Sequence, residues 1–505
     1  MSAPQAAVRA TRREWIGLAV LALPTLLVSL DTFVMLLAIP HVSADLGASG
    51  TQQLWIMDIY GFLVAGLLIT AGALGDRLGR RRLLLIGAAA FGLASIAAAY
   101  STSPEMLIAA RALLGVAGAT LTPSTLALIM NMFHDPGQRA TAVGIWAGCF
   151  TTGAIVGPLV GGVMLERFWW GSVLLLGVPA MALLLVLGPL LLPEFRGTAE
   201  RGRLDLPSVL LSLAAILPIV YGLKETAAHG WRPEAVISLV LGLAVAVAFV
   251  RRQNRLADPL LDLRLFAGRR FTSTLAAMLL YTMLSGGTMV FVAQYLQLNH
   301  GLSPLHTGLA MVPGMVAAIL GFQVAPLLAR HVSTAYLFGG GLLVASAGLV
   351  VLTQAGTSAG PALVITGFCL TSIGGGPLVG LGTNVVVGSA PPERAGSAAG
   401  LTQTGNECGY ALGIAILGSV GAFVYRTHMN TSAQQFPGGI TDAASDSATA
   451  AGALAAALPE EQASALLAAA REAFTGSLHT VAAISAVVLA ATAIAVMKLL
   501  KDPIR

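Results

Sequence analysis

Charge is the scarcest property of this chain. Only 10% of its 505 residues are Asp, Glu, Lys or Arg, where a soluble domain carries about 25%. A water-soluble protein so poor in charge could not cover its surface, so its main solvent is expected to be lipid. Cysteine is nearly missing too. Cys149, Cys369 and Cys408 lie inside apolar stretches without paired spacing, which argues against a disulfide framework or a metal site. The apolar segments hold no cluster of metal ligands and no nucleophile–base pair, and His134, His306 and His331 fall at loop ends. Neither a metal nor enzymatic chemistry is expected. No Gly-x4-Gly-Lys-Ser/Thr loop occurs, so direct ATP coupling is not expected either. The net charge is +5, yet the basic residues sit in short loops with no interleaved aromatics, and a nucleic-acid partner is rejected.

What the chain has in abundance is long apolar runs: 56% of it is hydrophobic and its mean hydropathy is +0.82. A membrane-spanning helix needs about 20 apolar residues. Fourteen runs qualify, approximately 15–40, 51–74, 82–100, 105–131, 139–165, 170–193, 205–224, 233–250, 270–298, 305–329, 335–354, 360–388, 396–424 and 476–498. The alternating ten-residue strands of a membrane barrel are absent. The first run is too long for a signal-peptide core and lacks a small-residue cleavage site, so it is expected to stay as a permanent helix.

Basic residues test this count, because cytoplasmic loops are enriched in them. With fourteen spans and a cytoplasmic N-terminus, 22 of the 28 Lys and Arg fall inside. Five fall outside (Arg167, Lys224, Arg232, Arg426 and Arg471), and Arg111 lies within a helix. One miscounted helix would reverse every later loop and blur the bias. Both ends are therefore expected in the cytoplasm of a multi-pass protein of the bacterial inner membrane.

The runs divide as six, two and six. Residues 1–14 form a cytoplasmic tail, 15–193 a first bundle, 194–269 two inserted helices with a basic loop, and 270–505 a second bundle. The loop 251–270 carries six arginines and is read as a topology signal in contact with anionic lipid. The turn after the second run, Gly72 to Arg82, has a faint echo after the tenth, Ala325 to His331. Transporters are often built from such repeats. Residues 425–475 are expected outside as one or two amphipathic helices, with Pro459 and the acids Glu460 and Glu461 marking a helix start. This segment is either a solvated linker or a lid.

Three motifs carry a family resemblance. The loop Gly72-x3-Asp76-Arg77-x-Gly79-Arg80-Arg81 resembles the loop signature of the major facilitator superfamily. Its Asp–Arg pair would latch the two halves at the cytoplasmic face. Arg111-x3-Gly115-x2-Gly118 is similar to the superfamily's second motif, whose arginine is associated with proton transfer. Leu114 replaces a polar residue usual before the first glycine. Gly153-x3-Gly157-Pro158-x2-Gly161-Gly162 resembles the antiporter motif of exporters, with glycines for close helix approach and a proline kink. Together with the segments around Asp31, Trp55 to Tyr60 and Glu407 to Gly413, nearly the whole chain resembles the fourteen-helix drug:proton antiporters, which include quaternary-ammonium and methyl-viologen resistance exporters. The resemblance implies an all-α membrane fold of two six-helix bundles plus two helices. It also implies proton-driven export of lipophilic cations such as dyes, quaternary ammonium compounds and cationic antibiotics. No cofactor beyond the proton gradient is expected, and the partners are small cations, protons and membrane lipid, with the chain acting as a monomer. The alternative is a narrow exporter of one antibiotic.

Intramembrane charges are costly and usually functional, and there are four: Asp31, Asp58, Arg111 and Glu407. At ~1.5 Å of rise per residue, Asp31, Asp58 and Arg111 lie ~13, ~10 and ~9 Å below the outer surface. One linked cluster is expected, in which Arg111 neutralises one carboxylate and leaves the other free. Glu407 has no basic residue at its depth. A desolvated carboxylate in that position exchanges a proton for a cation readily. Trp55, Trp146, Phe150, Phe291 and Tyr295 are candidates for an aromatic pocket wall.

Overall fold

The computed structural model describes residues 9–194, 205–230, 232–256, 263–356, 360–389, 395–432 and 444–500. These residues are helical with short turns. α1 (Arg12–Leu46), α2 (Gly50–Leu78), α3 (Arg80–Ala99), α4 (Pro104–Met132), α5 (Pro136–Arg167), the single turn α6 (Ser172–Leu175) and α7 (Gly177–Leu191) make the first set. α8 (Leu206–His229) and α9 (Pro233–Gln253) follow. α10 (Arg269–Leu298), α11 (Pro304–Leu328), α12 (Thr334–Leu352), α13 (Pro361–Gly388), α14 (Ala395–Ser432), the short α15 (Ala448–Ala455) and α16 (Glu460–Leu499) complete the chain.

Local chemistry places the breaks. α1 and α2 start in capping boxes, Thr11 with Glu14 and Ser49 with Gln52, which satisfy backbone N–H groups that a helix start leaves bare. α4, α5 and α11 start with Ser103, Asp135 and Ser303 as caps and proline in the first turn. The α2–α3 turn passes through Gly79 at φ +103°, where an added Cβ would strike the Glu194 carboxylate. That turn therefore requires glycine.

Eleven helices among the described residues are long and apolar enough to cross a membrane. α2, α5 and α8, at 29, 32 and 24 residues, also have the length for a hydrocarbon core of ~30 Å. The count of fourteen fits this arrangement. Three expectations change. The sixth run is interrupted at Leu176, giving the turn α6 before α7. The expected split between an amphipathic helix and a last span at 476 does not exist, because α16 runs unbroken through 40 residues. Likewise α14 continues to Ser432, beyond the expected end at 424.

The internal repeat is plain in the packing. In the first six spans, α1 packs on α5, α2 on α4, α3 on α4, and α3 on α7. In the second six, α10 packs on α14, α11 on α13, α12 on α13, and α12 on α16. The pairs correspond position for position. The contacts between the halves correspond too: α2 meets α14, and α5 meets α11. α8 lies across this joint and touches both α2 and α14, while α9 packs on α8. Gly222 and Gly242 allow that close approach.

One face of the molecule is basic, carrying Arg12 and Arg13, Arg80 to Arg82, Arg251, Arg252 and Lys498. The opposite face carries α15. On this hairpin face the halves are joined tightly. The position of a Cβ on Gly162 lies 2.4 Å from Leu305 Cα, and that on Gly308 lies 2.6 Å from the Pro158 carbonyl oxygen. Ser303 donates to Glu166. On the other side of the same face, Gly50 N donates to Asp446 Oδ2 at 2.9 Å, Gln53 donates to Ser447, and Asp446 faces Arg426 at 3.7 Å. Toward the basic face, by contrast, Gly144 and Gly148 of α5 look onto open space. The molecule is closed at its hairpin face.

This seam makes a prediction. Gly162→Val forces α5 away from the Leu305 backbone, and overpacking of this kind costs about 1–3 kcal/mol. The closed state should lose population by roughly 5–150-fold, with transport slowed to match. Distances between spin labels on the ends of α5 and α11 read the change. Wild-type distances in the variant would mean that the seam tolerates a side chain.

Candidate substrate cavity

Between the halves lies a cavity of about 410 Å³. α2 supplies Met57, Asp58 and Tyr60; α14 supplies Gln403, Asn406, Glu407 and Tyr410. α5 contributes Trp146, α10 contributes Tyr281 and Met289, α11 contributes Met315 and Phe322, and α13 contributes Phe368. Two carboxylates, one from each half, thus face a wall of aromatic rings and methionines. Such walls hold lipophilic cations through ring faces and adaptable thioethers.

The four intramembrane charges take distinct places. Arg111 is 1% exposed, and its Nη1 donates to Asp31 Oδ2 at 2.5 Å. Its Nε donates to the Ile56 carbonyl at 3.0 Å, and its guanidinium lies 4.9 Å from the Tyr60 ring centre. Arg111 is therefore paired with Asp31. Asp58 is buried on the cavity wall. Tyr60 stands between, its ring against Arg111 and its edge in the cavity. Gly115 and Gly118 of α4 make room for it, with would-be Cβ positions 2.7 Å from its carbonyl oxygen and 3.2 Å from its hydroxyl. The motif glycines and the arginine thus share one helix contact.

Glu407 sits across the cavity, with Oε1 accepting from Gln403 Nε2 at 3.0 Å. The Tyr60 hydroxyl and Asn406 Oδ1 are buried and lack a hydrogen-bond partner among the described residues. Buried polar atoms left in this way favour a polar ligand or water between them.

The expected aromatic wall is only partly the observed one. Trp146 lines the cavity and donates to Thr125 at 3.1 Å. Trp55 instead packs with Phe62, Val220 and Ala415 at the junction of α2, α8 and α14. Tyr295 is fully buried, donates to the Gly356 carbonyl at 2.7 Å and packs against His300. Phe291 lines a separate chamber of about 80 Å³ under the hairpin and stacks on Phe474. The side chain of Phe150 lies outside the described residues. Tyr60, Tyr281, Phe322, Phe368 and Tyr410 are the rings that sequence reasoning missed. Tyr410 was within reach of it, since it lies three residues after Glu407 on one helix face.

The family model of the Major Facilitator Superfamily matches residues 21–414. The chain belongs to this superfamily. It is 42% identical over 487 residues to the multidrug efflux pump LfrA of Mycolicibacterium smegmatis, covering 96% of each chain. It is 35% identical over 485 residues to the methyl viologen resistance protein SmvA of Salmonella typhimurium, covering 94% of this chain and 95% of that one. Its fold matches a bacterial homologue of the human lysosomal transporter Spinster, solved inward-facing and unoccupied, with a TM-score of 0.70 at 17% identity and coverage of 97% and 98%. The protein is an efflux transporter of the Major Facilitator Superfamily and spans the membrane many times.

The superfamily motifs can now be placed. The Arg81 backbone N–H donates to Glu194 Oε1 at 3.2 Å, its Nε faces Glu194 Oε2 at 3.6 Å, and its Nη1 donates to the Pro189 and Leu192 carbonyls at the end of α7. These contacts stay within the first half. Of the expected latch through Asp76 and Arg77, Arg77 is exposed and the Asp76 side chain lies outside the described residues. Arg80 packs against Gly75, and Gly72 approaches Pro123 at the edge of van der Waals contact. In the antiporter motif, Gly153 and Gly161 meet Ser29 and Val34 of α1, while Pro158 and Gly162 meet α11. Gly157 is buried.

Proposed function

We propose that this protein exports lipophilic cations from the cytoplasm in exchange for protons. The observation that carries the reading is the pair of carboxylates, Asp58 and Glu407, facing one aromatic and methionine-lined cavity from opposite halves. A cation entering the cavity meets ring faces and negative charge together. A proton competes for the same oxygens, so occupancy by one favours release of the other. Alternating access then carries the cation outward and the proton inward, with the basic face in the cytoplasm of the bacterial inner membrane. Each charge moved across 100 mV is worth ~2.3 kcal/mol, which drives the cycle without a cofactor. The relatives fit this reading, one being named a multidrug efflux pump and the other a methyl viologen resistance protein.

The test is proton release from purified protein on adding monocationic and dicationic dyes in weak buffer. Release that saturates with dye is expected. Binding of dyes with no proton release would remove the coupling. Transport confined to one uncharged antibiotic would replace this reading with that of a narrow exporter.

A further inference from the structure

Among the described candidate membrane spans, α9 is the least buried within the protein. Ile237, Val240 and Leu243 are each more than 60% exposed, and only one stripe, centred on Gly242, packs on α8. At its basic end the character of this outer face changes. Ala244 and Ala248, four residues apart, open a recess of about 420 Å³ with Val247, and Arg251 and Arg255 stand over it.

The neighbouring Arg252 lines the same recess, but its guanidinium is paired. Arg252 donates through Nη2 to Asp205 Oδ1 at 2.6 Å and through Nε to Asp205 Oδ2 at 3.2 Å. The hydrogen bond from Arg252 holds the Asp205 carboxyl below the usual carboxylate range. The pair therefore stabilises the α8–α9 joint at neutral pH and loses strength as pH falls through that lowered value. Arg251 and Arg255 have no acidic partner among the described residues. Two guanidinium groups with no acidic partner among the described residues, at the level where a helix leaves the membrane and beside apolar side chains, match a phosphodiester headgroup over an acyl chain.

We propose that the recess on α9 beneath Arg251 and Arg255 is a binding site for one anionic phospholipid. A zwitterionic lipid offers the same chain but cancels the phosphate charge, so it should bind less well. The site lies one helix away from the cavity, since α8 touches α9 on one side and α2 and α14 on the other. The inference stands independently of which compounds the protein exports.

The experiment measures lipid retention by the delipidated full-length protein in detergent, using native mass spectrometry. The probes are phosphatidylglycerol and phosphatidylcholine with matched chains. Wild type should retain phosphatidylglycerol preferentially. Taking ~1 kcal/mol for each arginine, Arg251→Gln with Arg255→Gln should weaken retention about thirtyfold, while Arg330→Gln, on the same face, should not. A second variant, Ala244→Leu with Ala248→Leu, fills the recess and keeps both charges; it too should lose retention. Glycerol phosphate at millimolar concentration should fail to displace the lipid. Equal retention by wild type and the double Gln variant would overturn the proposal. Unchanged retention by the filled-recess variant would reduce the site to diffuse surface charge, and full displacement by glycerol phosphate would reduce it to a phosphate site. Either result rejects the lipid groove.

Discussion

Glu407→Gln is expected to keep binding large monocationic dyes while releasing no proton when they bind. The side chain keeps its shape, and its oxygen can still accept from Gln403, which now donates to Oε1 at 3.0 Å. What is lost is the negative charge and the exchangeable proton. In wild type, cation affinity should fall as the solution is acidified, because protons and cations compete for the carboxylates. In the variant that slope should flatten. Dications should suffer more than monocations, since their second charge pairs best with a second carboxylate. A hydrogen bond or contact to a charged group is worth about 1.5–3 kcal/mol, so dication affinity should drop by roughly 10–150-fold. Binding isotherms against pH for one ligand of each charge decide the matter. If both profiles overlay those of wild type, Glu407 is a packing residue and coupling rests on Asp31 and Asp58.

Asp31→Asn should have the larger effect on stability. Its carboxylate is the acidic partner of Arg111, which is 1% exposed. Without it the guanidinium retains, among the described residues, the Ile56 carbonyl and the Tyr60 ring face. Removing one member of a buried pair costs about 3–5 kcal/mol, a large share of a typical total of about 5–15 kcal/mol. Export of cationic dyes should cease, and thermal unfolding in detergent should begin many degrees earlier. Adding Arg111→Gln to Asp31→Asn removes the stranded charge, so the double variant should recover most of the stability while export stays lost. A thermodynamic cycle over the four proteins measures the coupling. Additive effects would show that the two side chains do not act as a pair.

The helices were legible because their causes are local. Apolar runs, Ser or Asp caps followed by proline, and arginine-rich turns mark most boundaries. The unbroken α16 was legible too: between Pro459 and Leu499 the only weak helix former that stands out is Gly476, but a hydropathy reading starts the helix where apolarity starts. Depth arithmetic set Asp31, Asp58 and Arg111 at one level. It could not say that Arg111 turns to Asp31, because depth along a helix carries no information about rotation around it. The same gap explains the aromatic residues. Trp55 lies one turn from Asp58, yet it faces α8 rather than the cavity, and only the position of the inserted helix decides that. Phe322 and Phe368 reach the cavity from α11 and α13 with no charged neighbour in sequence to signal it. Gly79 was legible as part of a motif, whereas its contact with Glu194, 115 residues away in sequence, was not.

At ~1.5 Å per residue, α16 with its 40 residues is about 60 Å long, and α14 with 38 residues is nearly as long. A hydrocarbon core takes up only ~30 Å of such a length. The two helices pack on each other, and at the hairpin end of α16 Phe474 stacks on Phe291 while Arg471 Nε donates to the Leu298 carbonyl at 3.2 Å. The surplus length is therefore braced against the body of the transporter rather than lost in the hydrocarbon core. An antibody fragment or designed binder raised against the hairpin ends of α14 and α16 would grip helical surface beyond the lipid.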